Sequence, residues 1–83
     1  MSKIPRDLTG KELIKALEKY NYSIIRQVGS HIRIESFFIK GKKHQVTVPD
    51  HNPIKIGTLN NILKDISNYL RVSKNEVVKN LFD

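Results

Sequence analysis

Gly29-Ser30-His31-Ile32-Arg33-Ile34 reads as a tight turn feeding an alternating strand, and the rest of the chain is arranged around it. Glycine supplies the positive φ that a tight hairpin turn requires, and Ser30 offers a hydroxyl at the same corner. From residue 31 the pattern alternates, so Ile32 and Ile34 face a core while His31, Arg33 and Glu35 face the other way. An exposed histidine at the first position of a strand is therefore expected. On spacing alone such a histidine is an ordinary surface residue, so any chemistry must come from what surrounds it.

On the N-terminal side, Tyr22 to Val28 is rich in β-branched and aromatic residues and reads as a first strand. Val28-Gly29-Ser30-His31 then forms a two-residue turn with glycine first, the type II′ preference. This register sets Arg26 opposite Arg33, on the face of His31, with Gln27 and Ile25 opposite Ile32 and Ile34. A three-residue turn would put Arg26 on the other face. Two facing arginines repel unless an anion lies between them. On the C-terminal side the second strand runs to about Ile39, and Lys40-Gly41-Lys42-Lys43 makes a basic hairpin tip. The third strand, about His44 to Pro49, alternates Val46 and Val48 with Gln45 and Thr47. Pro49 ends it, and Asp50-His51-Asn52-Pro53 is turn chemistry.

Helices flank this three-stranded meander. Thr9-Gly10-Lys11-Glu12 fits a capping box, Leu8 and Leu13 its hydrophobic staple, and Leu13, Ile14, Leu17 and Tyr20 an apolar stripe. Asn21 suits a left-handed residue past the helix end. From about Ile56 to Leu70, the spacing of Leu59, Ile62, Leu63, Ile66 and Leu70 predicts a second amphipathic helix, with Gly57 allowing close approach to the sheet. Ser73-Lys74-Asn75-Glu76 is another capping box, stapled by Val72 and Val77, and predicts a short helix over about Lys74 to Leu81. The order is α-β-β-β-α-α, an α+β fold in which helices one and two lie side by side on one face of a three-stranded antiparallel sheet. The other face is left to solvent or a ligand. At the level of layout alone, this is the architecture of the double-stranded-RNA-binding domain.

Eighty-three residues make one domain, spanning 1–83. The absence of cysteine excludes disulfides and thiolate metal sites and is compatible with a reducing cytosol. The segment Met1 to Asp7 lacks the apolar run of a signal peptide, and no later stretch approaches a membrane span, so a cytoplasmic protein with no membrane partner is expected. Fifteen Lys and Arg against eight Asp and Glu give a net charge of +7. Residues 1–44 hold ten basic and four acidic groups, so the excess is concentrated there. A charge of that size on a small domain favours a polyanionic partner, nucleic acid first and an acidic protein second.

Three blocks, Gly29-Ser30-His31, Val46-Thr47-Val48-Pro49-Asp50-His51 and Gly57-Thr58-Leu59-Asn60-Asn61-Ile62-Leu63-Lys64, together resemble the HicA (YcfA-like) family of toxin ribonucleases. The resemblance spans about Leu13 to Lys64, with the first helix matching in pattern. Beyond Lys64, Asp65-Ile66-Ser67-Asn68-Tyr69 departs from the short polar end common in the family. The resemblance implies a double-stranded-RNA-binding-like fold and cleavage of mRNA. It further implies a catalytic histidine after Gly-Ser, here His31, and inhibition by a HicB-type antitoxin.

Chemistry supports this reading independently. RNA cleaves itself when its 2′-hydroxyl is deprotonated, so an enzyme needs a base, cations for developing charge, and correct positioning. Imidazole suits that base near neutrality. His31 is the expected base, with Gly29, Ser30, Arg33 and Arg26 holding the phosphate. For the acid, His44 is disfavoured: if Ile39 pairs with His44, then His31 lies roughly 26 Å along the strand. Residues 49 to 52 return near His31 instead, which makes His51 the second acid/base candidate; a water or a lysine also fits, and His51 otherwise orders its turn. The lysine tip suits a backbone contact along RNA or a solvated hairpin. Histidines at 31, 44 and 51 do not form a ligand set, and no carboxylate cluster adjoins them, so no metal and no small-molecule cofactor is expected. A non-catalytic RNA-binding module is the alternative, against which stands the lysine-poor start of the second long helix, with Lys55 and then Thr58. A basic adaptor for an acidic protein is a third reading.

Overall fold

Thr9 begins the first helix as a capping box requires. Its hydroxyl accepts from the Glu12 N–H at 3.1 Å, and the Glu12 carboxylate accepts from the Thr9 N–H at 2.9 Å. In the computed structural model, which describes residues 3–83, this helix is α1 (Gly10–Leu17). The reading of Met1 and Ser2 lies outside the described residues. The helix tightens into a 3-10 turn, Glu18–Tyr20, and stops at Asn21, whose φ of 64° is the left-handed conformation expected there.

The chain then forms β1 (Ser23–Val28), β2 (His31–Ile39) and β3 (Lys42–Pro49), an antiparallel sheet in the order β1-β2-β3. It finishes with α2 (Ile56–Leu70) and α3 (Lys74–Phe82). The α-β-β-β-α-α order of an α+β fold is thus the observed one. One core forms between the layers: Ile32, Ile34, Val46 and Val48 from the sheet are buried against Leu13, Leu17, Leu63, Ile66 and Val77 from the helices. Truncating a fully buried member such as Leu63 to alanine costs ~2–5 kcal/mol on general grounds.

Several local expectations are corrected. The helical layer is not simply α1 beside α2. The third helix buries Val77, Val78 and Leu81 and packs against both α1 and α2, completing the layer. The Ser73 hydroxyl accepts from the Glu76 N–H, but the reciprocal half of that capping box is not formed among the described residues. In β1, Ile24 pairs with Ile34 and Arg26 with Arg33, so Ile25 is an extra bulged residue and does not itself oppose Ile34. Every residue of β1 is exposed, because the strand lies at the sheet edge, where the helices give incomplete cover.

The glycine that approaches the sheet is Gly10, not Gly57. A Cβ on Gly10 would overlap the Pro49 carbonyl oxygen, whereas one on Gly57 would meet nothing within 4 Å. The Gly10 N–H also donates to the His51 carbonyl at 3.1 Å. These contacts join the start of α1 to the segment just beyond β3.

Candidate active site

Val28 pairs with His31, so the turn between them has two residues. Gly29 has φ 58°, and Ser30 is not in the left-handed region, the sign pattern of a type II′ turn. The turn is held from two sides: Gln27 Nε2 donates to the Gly29 carbonyl at 3.0 Å, and the Asp50 N–H donates to the Ser30 carbonyl at 2.7 Å. His31, paired with Pro49, is exposed beside it. The pleat sends Ile32 and Ile34 into the core and leaves His31 and Arg33 on the open face, as the alternation in the sequence requires.

A groove of about 510 Å³ lies on this face. His31, Arg26 and Arg33 line it, Ile25 and Val28 supply an apolar wall, and Gln45 and Thr47 come from β3. Arg26 and Arg33 are directly opposed. Among the described residues neither forms an ion pair; like charges so placed destabilise a sheet by ~0.2–1 kcal/mol. Arg33 Nη1 donates to Gln45 Oε1 at 3.3 Å, and Gln45 Nε2 donates to Glu35 Oε1 at 2.9 Å. The Glu35 carboxylate is thereby turned toward Gln45 and toward Lys43 Nζ, 3.9 Å away, and pairs with neither guanidinium group. The His31 imidazole has no hydrogen bond within the protein among the described residues, so both its ring nitrogens face solvent or a ligand.

The expected site residues divide into two sets. His31, Arg26 and Arg33 share the groove; Gly29 and Ser30 form the turn at its end and do not line it. Asp50 reaches this turn through its N–H, so the chain does return beside it after β3. His51 is exposed, its carbonyl bonded to Gly10, and its side chain is not in the groove lining. Four groove residues, Ile25, Val28, Gln45 and Thr47, had no site role in the sequence reading. Period-two alternation already puts Gln45 on the open face, but its bond to Arg33 depends on rotamers; the presence of Ile25 there depends on the bulge.

His44 is removed from this site for a reason different from the expected register. It pairs with Ser36, while Ile39 pairs with Lys42, and its side chain turns to the helical side. There the Tyr22 hydroxyl lies 2.6 Å from Nδ1, Asp65 Oδ1 lies 3.2 Å from Nε2, and the Tyr69 ring stacks on the imidazole at 4.7 Å. A neutral ring carrying its proton on Nε2 satisfies both bonds. Burial pushes the Tyr22 phenol well above the ordinary tyrosine range, with Tyr69 and Asp65 adding to the shift. The Tyr69 hydroxyl in turn accepts from the Ile39 N–H at 2.9 Å and donates to the Lys42 carbonyl at 2.5 Å, clamping the β2–β3 hairpin to α2.

Among the described residues, no three His, Cys, Asp or Glu side chains come together in a group that could hold a metal ion. Among the same residues, no helix is long and apolar enough to cross a membrane.

A helix-backed antiparallel sheet, with a free imidazole and two guanidinium groups in an open groove, makes this an α+β protein with a cationic groove on its open face. The family model described as the HicA toxin of bacterial toxin–antitoxin systems matches residues 10–67, a span that includes the groove and the first three turns of α2. The chain belongs to this HicA toxin family, the toxin half of a toxin–antitoxin pair. Comparisons with curated proteins and with solved structures return no match.

Proposed function

We propose that the protein is an endoribonuclease that cleaves mRNA with His31 as general base and acid, needs no metal, and is silenced by a HicB-type antitoxin covering the open sheet face. The observation that carries this reading is the unengaged His31 imidazole in a groove shared with Arg26 and Arg33. In the reaction, the imidazole takes the proton of a ribose 2′-hydroxyl. The 2′-oxygen attacks the adjacent phosphorus, the bond to the 5′-oxygen breaks, and that oxygen takes a proton from the His31 imidazolium just formed or from His51. The products are a 2′,3′-cyclic phosphate and a 5′-hydroxyl end. Arg26 and Arg33 offset the charge gathering on the phosphoryl oxygens, and the Gly29-Ser30 turn bounds the site. Ile25 and Val28 give the base next to the reacting phosphate an apolar surface. His51, carried on the segment bonded to the turn, is the second acid/base candidate.

Incubating the purified protein with RNA in the presence of a chelator tests the reading. Fragments ending in a cyclic phosphate, absent with His31→Ala, are expected. A salt-sensitive shift without fragments would instead make the protein a non-catalytic RNA-binding module, and a requirement for added metal would overturn the metal-free mechanism. Growth arrest on expression, relieved by co-expressing the neighbouring antitoxin gene, tests the pairing.

A further inference from the structure

Beyond the groove, the open face carries an aromatic side chain that the mechanism does not use. Phe37 is 63% exposed, although it lies within β2 between the buried Ser36 and the partly covered Phe38. Counting along the pleat from His31 through Arg33 and Glu35, and with the Ser36 side chain turned to the helical layer, puts it on the same face as the histidine, at the start of the irregular pairing between Ser36 and Ile39. The two are six positions apart along the strand, about 20 Å at ~3.3 Å per residue. Lys43 reaches this same face from β3, where it meets Glu35 at 3.9 Å.

Resting on the endoribonuclease reading, we infer that Phe37 is a remote subsite that stacks an unpaired base of single-stranded RNA, with Lys43 beside it on the phosphate backbone. The groove holds Arg26 and Arg33 beside His31, and Lys43 stands at the Phe37 end of the same face, with Glu35 between them. Single-stranded nucleic acid is held in this way, by an electropositive track with aromatic rings on which bases stack. A duplex would present a flat sheet face with phosphates and sugar hydroxyls, for which an exposed phenyl ring has no use. The subsite is also preorganised. Ser36 Oγ, buried, donates to the Tyr20 carbonyl and accepts from the Phe38 N–H at 2.9 Å, and Tyr69 bonds both Ile39 and Lys42. The backbone on either side of Phe37 is thereby fixed to the helical layer. At ~3.4 Å per stacked nucleotide, 20 Å corresponds to about six nucleotides, and to fewer in a stretched strand.

The test uses two nested series of single-stranded RNAs, one lengthened on the 5′ side of a cleaved site and one on the 3′ side. In one series kcat/KM should step up, carried by KM, once the strand reaches Phe37. Phe37→Ala should abolish the step, a loss of roughly five- to a hundredfold on long substrates, and Phe37→Trp should retain it. Substrates too short to reach Phe37 should not distinguish the variants. Binding of the same RNAs to His31→Ala, followed by fluorescence anisotropy, reads the subsite without cleavage. The length dependence should persist there even if His31 proves to have another role. An unchanged length dependence in Phe37→Ala overturns the inference while leaving cleavage at His31 standing. The same result, accompanied by lost antitoxin binding, also overturns it and assigns Phe37 to the protein interface.

Discussion

Arg26 stands opposite Arg33 across the β1–β2 ladder, and among the described residues no carboxylate forms an ion pair with either. Folding alone gains nothing from this pairing. Arg26→Gln is therefore expected to leave the melting temperature unchanged or slightly raised. It should weaken RNA binding about tenfold and reduce the slope of log affinity against log salt by about one. Binding titrations at several salt concentrations, beside a thermal melt, check both halves. A marked fall in Tm would mean that the guanidinium supports the fold.

The His31 side chain is exposed and makes no hydrogen bond among the described residues, so His31→Ala should change stability by no more than ~0.5 kcal/mol. Cleavage should disappear against that unchanged background. Denaturant unfolding together with a gel assay on one RNA checks the pair of outcomes.

Tyr22 gives an alkaline signature. Its folded pKa lies above the ordinary value near 10, so the unfolded chain ionises first as pH rises. The contribution is fully present below pH 10 and is lost as pH climbs from there toward the folded value. Tyr22→Phe should flatten this part of the alkaline decline, seen in melts between pH 8 and 11. The variant also leaves Nδ1 of His44 without its donor, at a cost of ~1–3 kcal/mol at neutral pH.

Two glycines near helix starts should respond in opposite directions to alanine. Gly57→Ala enters open space at an ordinary φ and should stabilise by ~0.4–1 kcal/mol. Gly10→Ala forces a methyl onto the Pro49 carbonyl and should destabilise by ~1–3 kcal/mol despite the better helix propensity. Chemical unfolding of both variants checks the contrast.

Much of this architecture was legible in the sequence because its signals are local. The Thr9–Glu12 box, the period-two run from His31 and the helical spacing from Leu59 to Leu70 each encode their own element. So does the two-residue turn at Gly29, which correctly aligned Arg26 with Arg33. What escaped depends on contacts distant in sequence. Gly10 meets Pro49 only after α1 docks, so its constraint has no local mark. The bulge at Ile25 shifts one residue in a run of similar apolar letters, where no pattern could reveal it. His44 reads as the start of the third strand opposite Ile39, and that register fails because the pairing becomes irregular between Ser36 and Ile39. Its partners are far off in sequence: Asp65 lies inside the span that the family model matches, against the departure expected beyond Lys64, and Tyr69 lies outside that span.

The extra residue at Ile25 also bears on solubility. A sheet edge with apolar Ile24 and Val28 in the open is a natural template for another chain to add to, and eventually for fibrils. The bulge breaks the even spacing of amide and carbonyl groups along that edge, and Arg26 adds a charge beside the break. A second copy therefore finds no long uninterrupted row to zip against, which favours dispersed molecules over self-association even when the protein accumulates.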